Sequence, residues 1–301
     1  MKSVRVDAYA KINLGLRIVG RRADGYHDIE TRFLQVSLAD SLFFEANDTD
    51  EMELSCNWPE IPCDRSNLCS RAHQLLRSQV DCRMGIKLHI EKKIPTGAGL
   101  GGGSSDAAVT LITLNNLFNL DLDLQVLESL GQRIGSDVPF FLRGGFCEGR
   151  GRGEILAPID KLPQFWVVLV SPNVSISTAW AYQNLKFGLT NEQKSSTFSV
   201  FKKEMPEVGN AKWWGENDFE GIVFDKYDEL AKIKEELLKG GAFAANMTGS
   251  GSTIYGLFRS FELAQQNQQR FQFNYKSFLA RPLKWGKKEV DDYVLQSVSG
   301  V

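Results

Sequence analysis

The chain has 301 residues, 43% of them hydrophobic and 24% charged, with a formal net charge of -2. That is enough apolar material for one large domain or two moderate ones, and it carries no compositional mark of disorder. The near-neutral balance excludes a protein whose main work is coating nucleic acid or an anionic membrane, while leaving room for a local basic patch that handles a phosphorylated ligand.

Five cysteines, Cys56, Cys63, Cys69, Cys82 and Cys147, are odd in number and form no CxxC pair or His-partnered metal spacing, so they read as free thiols in a reducing compartment. Met1 to Asp7 runs straight into alternating sequence, and neither a signal core, a transit segment nor a long apolar run is seen. The expectation is a cytoplasmic protein with no membrane partner.

In chain order, Lys11 to Val19 alternates, with Ile12, Leu14, Leu16 and Ile18 on one side and Lys11, Asn13, Gly15 and Arg17 on a non-core face. Arg21 to Gly25 reads as a turn, Ile29 to Leu38 as a strand, and Leu42 to Glu45 and Met52 to Cys56 as shorter strands. Helical spacing spans Asn67 to Gln79, and Ile86 to Ile90 returns to period two. Ser104 or Ser105 is the expected N-cap of a helix from about Asp106 to Leu117. A second helix, Leu124 to Arg133, is broken by Gly135, Ser136, Asp137 and Pro139, and Phe165 to Val170 is a short strand. Asn191 to Glu216 has no period and reads as an insertion. Asp228 to Lys239 is helical, Thr253 to Phe258 a strand, Phe261 to Gln269 a helix and Phe278 to Arg281 a last strand.

Pro95-Thr96-Gly97-Ala98-Gly99-Leu100-Gly101-Gly102-Gly103-Ser104-Ser105 is dense in glycine and leads into a helix. Glycine lets backbone N–H groups approach a ligand, and a helix N-terminus adds about half a positive charge, a pairing that suits phosphate oxygens. A flexible connector is the plainer alternative. The P-loop is excluded because no lysine precedes Ser104. The dinucleotide pattern GxGxxG matches at Gly97, Gly99 and Gly102, with Asp121 near the ribose-binding distance. Yet Pro95 interrupts the strand-to-loop passage and Asp121 lacks the required strand, so a nicotinamide enzyme is a weak alternative. Asp106 would repel phosphate, so its carboxylate should point away.

Four more segments carry chemistry. Lys11 stands on a strand's polar face, where a solvated surface lysine is the other reading. Tyr26 and His27 sit side by side after the Arg22 to Gly25 turn. Asp137 lies between glycine and proline ahead of large apolar residues, as either a turn cap or a poised catalytic group. Met247 to Thr253 is a second glycine-serine loop, which a tight β-turn would also explain.

Taken in this order, the five segments resemble the GHMP kinases, the superfamily named for galactokinase, homoserine, mevalonate and phosphomevalonate kinases. Gly25-Tyr26-His27, the triple glycine Gly101 to Gly103 and Gly135-Ser136-Asp137-Val138-Pro139 are similar to its members that act on a cytidine diphosphate-linked methylerythritol in the non-mevalonate route to isoprenoid precursors. The resemblance implies an α+β fold in two lobes, an N-terminal ribosomal protein S5 domain 2-like lobe (1–160) and a C-terminal ferredoxin-like α/β lobe (161–301). It implies ATP held by Pro95 to Ser105, Mg2+ arriving with ATP and coordinated largely by phosphate and water, with no protein ligand identified in the sequence, and a monomer or homodimer. Lys11 and Asp137 become the catalytic pair. Asn13, Tyr26, His27, Thr178, Tyr182, Gly249 and Ser250 become substrate-binding, with cytosine stacked between Tyr26 and Tyr182 and either hydrogen-bonded by the His27 side chain or read along an edge by its backbone. Another GHMP small-molecule kinase and a non-catalytic nucleotide-binding protein of the same fold are the alternatives.

Overall fold

The computed structural model describes residues 2–80, 83–160, 164–185 and 216–284. Cys82, most of the expected 191–216 insertion and the C-terminal tail lie outside them.

Two long strands, β1 (Ser3–Arg21) and β2 (His27–Ala46), form an antiparallel hairpin whose turn is set by Asp24, which accepts from the Tyr26 N–H at 3.1 Å. The two strands expected at Ile29 to Leu38 and Leu42 to Glu45 are one. Asp40 interrupts the apolar pattern between them, but Ala39 and Asp40 stay paired with Tyr9 and Ala8 across a register shift at Tyr9/Ala10. β3 (Met52–Cys56) runs parallel to β4 (Ile86–Glu91), and β4 is antiparallel to β2. β5 (Phe146–Arg150) and β6 (Ile155–Pro158), which carried no clear sequence signal, complete this first sheet beside β2.

Helices α1 (Leu68–Arg77), α2 (Gly102–Leu117), α3 (Leu124–Ile134) and α4 (Val138–Arg143) belong to the same half. Asn67 and Asp123 cap α1 and α3 with side-chain oxygens. One expectation is corrected here. α2 begins at Gly102 with Gly101 as N-cap and no side-chain cap, so neither Ser104 nor Ser105 starts it. α3 ends at Ile134 before Gly135, as expected, and Pro139 lies in the first turn of α4, where its missing N–H costs no helical bond.

A second sheet, in the order β10 (Lys276–Ala280), β7 (Trp166–Ser171), β9 (Ile254–Phe258), β8 (Ala244–Met247), is antiparallel throughout. Around it stand α5 (Thr178–Asn184), α6 (Glu220–Lys226), α7 (Asp228–Lys239) and α8 (Phe261–Phe271). Phe33, Phe44, Leu111 and Phe140 belong to a core between the first sheet and its helices, and Val168, Leu230 and Leu237 to one under the second. Ile12, Leu34, Leu100, Leu169 and Tyr255 fill a third cluster where the halves meet. No helix among the described residues is long and apolar enough to cross a membrane.

This topology removes the dinucleotide-binding alternative. That arrangement needs neighbouring parallel strands on either side of the loop-and-helix, whereas β4 feeds α2 and the next strand, β5, is separated from β4 by β2, which runs antiparallel to both. Asp121 stands in a turn with φ 52° and at no strand end.

Beneath α2 lies a buried ionic cluster. Lys92 donates to Asp40 and, at 2.7 Å, to Asp106, while the other Asp40 oxygen accepts the backbone N–H groups of Lys93 (2.6 Å) and Ile94 (2.8 Å). All three side chains are buried. The Asp106 carboxylate therefore points under the helix, as repulsion from phosphate required, and burial raises its pKa above the usual carboxylate range. Removing one partner of such a cluster leaves charge uncompensated inside the protein. Lys92→Met is therefore expected to lower folding stability by about 3–5 kcal/mol, read from chemical denaturation at neutral pH; a loss below about 1 kcal/mol would mean that water reaches the cluster.

Candidate functional site

The glycine loop leaves β4 at Glu91 and enters α2 at Gly102. Its shape depends on two positions. Gly99, at φ +79°, lies so close to the second glycine turn that a Cβ would sit 2.1 Å from the Thr248 carbonyl oxygen. Gly101, at φ +72°, would drive a Cβ to 2.8 Å from the Phe141 ring and 3.2 Å from the Lys11 side chain. Both are left-handed conformations that an L side chain rarely adopts. Because Gly101 caps α2 without a side chain, the first-turn N–H groups have no capping oxygen and the positive end of the helix dipole is open to an anion.

Beside the loop stands Lys11. Its backbone N–H bonds the Leu100 carbonyl at 3.0 Å, so β1 and the loop are fixed to each other. Its ammonium donates to Asn13 Oδ1 at 2.7 Å, lies 3.4 Å from Asp137 Oδ2, and sits 5.4 Å from the centre of the Phe33 ring. The expected non-core face is thus corrected: Lys11 and Asn13 are 4% and 2% exposed. Alternation identified a shared face but not that α4 and the second glycine turn cover it. Asn13 is held in turn, its Nδ2 donating to Thr31 Oγ1 at 2.8 Å and that hydroxyl to the Gly15 carbonyl at 2.7 Å.

Asp137 occupies the N-cap position of α4 without bonding any N–H of that helix. Its carboxylate, with 29% of the side chain exposed, faces the ammonium of Lys11 and an open cavity. Of the two roles open to it in the sequence, turn cap is excluded.

The cavity has a volume of about 1160 Å3. Lys11, Asn13, Gly97, Gly99, Gly101, Ser104 and Asp137 line it, and so do Tyr26, His27, Thr178, Tyr182, Gly249 and Ser250. Residues from both halves and from six separate stretches of sequence therefore share one space. Tyr182 stacks on His27, with centroids 4.8 Å apart and planes inclined by 15°, and its other side meets the edge of Phe219. Burial, with the charge of Asp137 adding to it, pushes the Tyr182 hydroxyl up to about 12. Burial, with the charge of Arg21 adding to it, also lowers the pKa of His27. Thr178 and Ser250 hydroxyls lie 2.9 Å apart. At that spacing no base fits between His27 and Tyr182. Tyr26 is more exposed and has the Arg152 guanidinium 4.5 Å from its ring centre.

The remaining loop residues are placed otherwise. Ala98 and Leu100 point into the core, and Pro95 and Ser105 are buried, so only their backbone can meet a ligand; Thr96, Gly102 and Gly103 do not line the cavity. Several residues of the site carried no sequence signal. Thr31 looks like any strand threonine. Arg152 sits in a glycine-flanked turn that resembles a plain loop. Asn217 follows a segment without periodicity, yet its amide donates to the carbonyls of Met247 (2.8 Å) and Gly249 (2.7 Å).

Comparison with known proteins identifies the family. Residues 67–145 match the GHMP kinases N terminal domain and residues 201–277 the GHMP kinases C terminal domain. The chain is 40% identical over 294 residues to the 4-diphosphocytidyl-2-C-methyl-D-erythritol kinase of Chlorobium phaeobacteroides (strain BS1), covering 94% of this chain and 98% of that one. It is 39% identical over 265 residues to that of Geobacter metallireducens, covering 88% and 92%. A crystal structure of 4-(cytidine 5'-diphospho)-2C-methyl-D-erythritol kinase superposes with a TM-score of 0.76 at 32% identity, covering 94% of this chain and all of the other. The homoserine kinase from Cytophaga hutchinsonii, at 18% identity and a TM-score of 0.74, shares the fold. With an uncapped glycine loop, a buried lysine and a facing aspartate set around one cavity, and with these relatives matched over nearly their full length, the chain belongs to the GHMP kinase superfamily and, within it, to the 4-diphosphocytidyl-2-C-methyl-D-erythritol kinase family.

Proposed function

We propose that this protein transfers the γ-phosphoryl group of ATP to the 2-hydroxyl of 4-diphosphocytidyl-2-C-methyl-D-erythritol, giving the 2-phosphate and ADP, in the cytoplasmic synthesis of isoprenoid precursors by the non-mevalonate route. The observation that carries this reading is the Lys11–Asp137 pair, 3.4 Å apart at the edge of a cavity that the glycine loop also lines. Phosphoryl transfer asks little covalent chemistry of the protein and a great deal of positioning and charge compensation. The arrangement has both.

Asp137, free of any capping duty, orients the tertiary hydroxyl and accepts its proton as the bond to phosphorus forms. Lys11 lies within reach of Asp137 and of the loop, where its charge offsets that building on the transferred group. Backbone N–H groups of the loop and the first turn of α2 hold the triphosphate. Mg2+ is assigned to the ATP phosphates and water; Ser104 and Asp137 are hard oxygen donors at the cavity, of the kind and number that this ion takes from protein, and it would neutralise phosphate charge there. Tyr26 offers the exposed ring on which cytosine stacks, and Tyr182, swung from His27, the second ring.

Incubation with ATP, Mg2+ and the cytidine diphosphate substrate, followed by product mass, tests the reaction; a panel including homoserine and mevalonate separates it from the other GHMP activities. Asp137→Asn is expected to lower kcat at least about a hundredfold, and near-normal turnover in that variant would remove the aspartate from its role. Tyr26→Ala should raise KM for the cytidine substrate by about five- to a hundredfold with little change in kcat, since stacking of a base on an aromatic is worth about 1–3 kcal/mol. An unchanged KM would place the base elsewhere.

A further inference from the structure

Thr248 is fully buried at the junction of the two halves and belongs to the second glycine turn. Its hydroxyl accepts the backbone N–H of Asn13 at 3.0 Å across 235 residues of sequence. The same oxygen lies 3.2 Å from the Gly99 carbonyl and 3.3 Å from Asn13 Oδ1, so its single proton goes to one of these two acceptors. One hydroxyl thus touches the strand that carries Lys11, the amide that holds the Lys11 ammonium, and the glycine loop.

The turn that presents this hydroxyl is itself clamped. Asn217 grips the carbonyls on either side of Thr248, those of Met247 and Gly249, and its own oxygen accepts from the Phe219 N–H at 3.0 Å. Glu220 accepts the Met247 N–H at 2.7 Å. On the loop side, Gly99 lies so close to the Thr248 carbonyl that a Cβ there would meet its oxygen at 2.1 Å.

We propose that Thr248 is a positioning residue for phosphoryl transfer: its hydroxyl fixes Asn13 and, through the Asn13 amide, the Lys11 ammonium, in register with the loop that holds the nucleotide. The inference deepens the proposed kinase reading and rests on it for its kinetic part alone. Without the hydroxyl the Asn13 N–H is left unpaired in the interior, Asn13 tilts to find another acceptor, and the ammonium bonded to it moves with it. Displacement of a catalytic group by about an ångström costs up to about a hundredfold in rate while leaving substrate contacts elsewhere intact.

Thr248→Val keeps the shape and deletes the hydroxyl; Thr248→Ser keeps the hydroxyl. The valine variant should lose about ten- to a hundredfold in kcat with KM for the cytidine substrate within about twofold, and the serine variant should recover to within about threefold of the parent. A second readout needs no substrate. Acetylation of lysines with acetic anhydride, followed by peptide mass, should label Lys11 faster in the valine variant and at the parental rate in the serine variant. Lys92, buried in a separate cluster, should stay protected in all three and so report that the fold is intact. Parental kcat in the valine variant, or unchanged Lys11 labelling with Lys92 protected, overturns the proposal. If the parent protein does not turn over the cytidine substrate, the proposed function fails and the labelling alone decides the role of Thr248. Should the valine variant expose Lys92 as well, Thr248 holds the fold and not the lysine, which also overturns it.

Discussion

An ammonium withdrawn from water is unfavourable unless other dipoles and charges replace its hydration, and the architecture around Lys11 follows from that requirement. Three groups take the place of solvent: the Asn13 carbonyl oxygen, the Asp137 carboxylate and the face of Phe33. Each comes from a different direction, the first from β1 itself, the second from the start of α4 and the third from β2. Once these are in place the lysine can point only toward the open cavity. A cation held in this way needs little reorganisation when negative charge appears beside it, which is the physical basis of electrostatic catalysis.

The glycine loop satisfies a second requirement that would conflict with the first in a more ordinary sequence. Anion binding at a helix N-terminus wants bare N–H groups, and a bare helix start is normally unstable without a cap. Here the loop is held from outside instead. The Lys11 N–H bonds Leu100, the Thr253 N–H bonds the Ala98 carbonyl at 3.2 Å, and Asp40 captures the two N–H groups just before it. Ala98 and Leu100 bury their side chains, which anchors alternate residues while the glycines between them face the cavity. Lys92 and its two carboxylates form the floor on which α2 rests.

Much of this was legible in the residues, and the parts that were not have identifiable reasons. Asp228 to Lys239 and Met52 to Cys56 have strong periodicity, and the helix and strand appear at those bounds. β8, Ala-Ala-Asn-Met, has none of the β-branched or aromatic residues that mark strands; it exists because β9 pairs with it and it is buried along its whole length. β5 carries a glycine and no clean alternation, yet β2 and β6 flank it. The start of α2 was misplaced because a serine normally caps better than a glycine, and here the cap had been given up in favour of open N–H groups.

Local chemistry, then, is what the sequence by itself determined: where glycines let the backbone approach a ligand, which side chains alternate, where a carboxylate is trapped between glycine and proline, and the order of segments that marks the superfamily. Only tertiary structure decided that Lys11 and Asn13 are interior, that Asp137 caps nothing, that the cavity takes residues from both halves, and that Thr248 and Asn217 brace the segments around it. The physical reason is separation along the chain. A turn or a cap is settled by atoms a few residues apart, whereas Asp137 lies 126 residues from Lys11 and Thr248 lies 235 residues from the Asn13 that it holds, and nothing local records their approach.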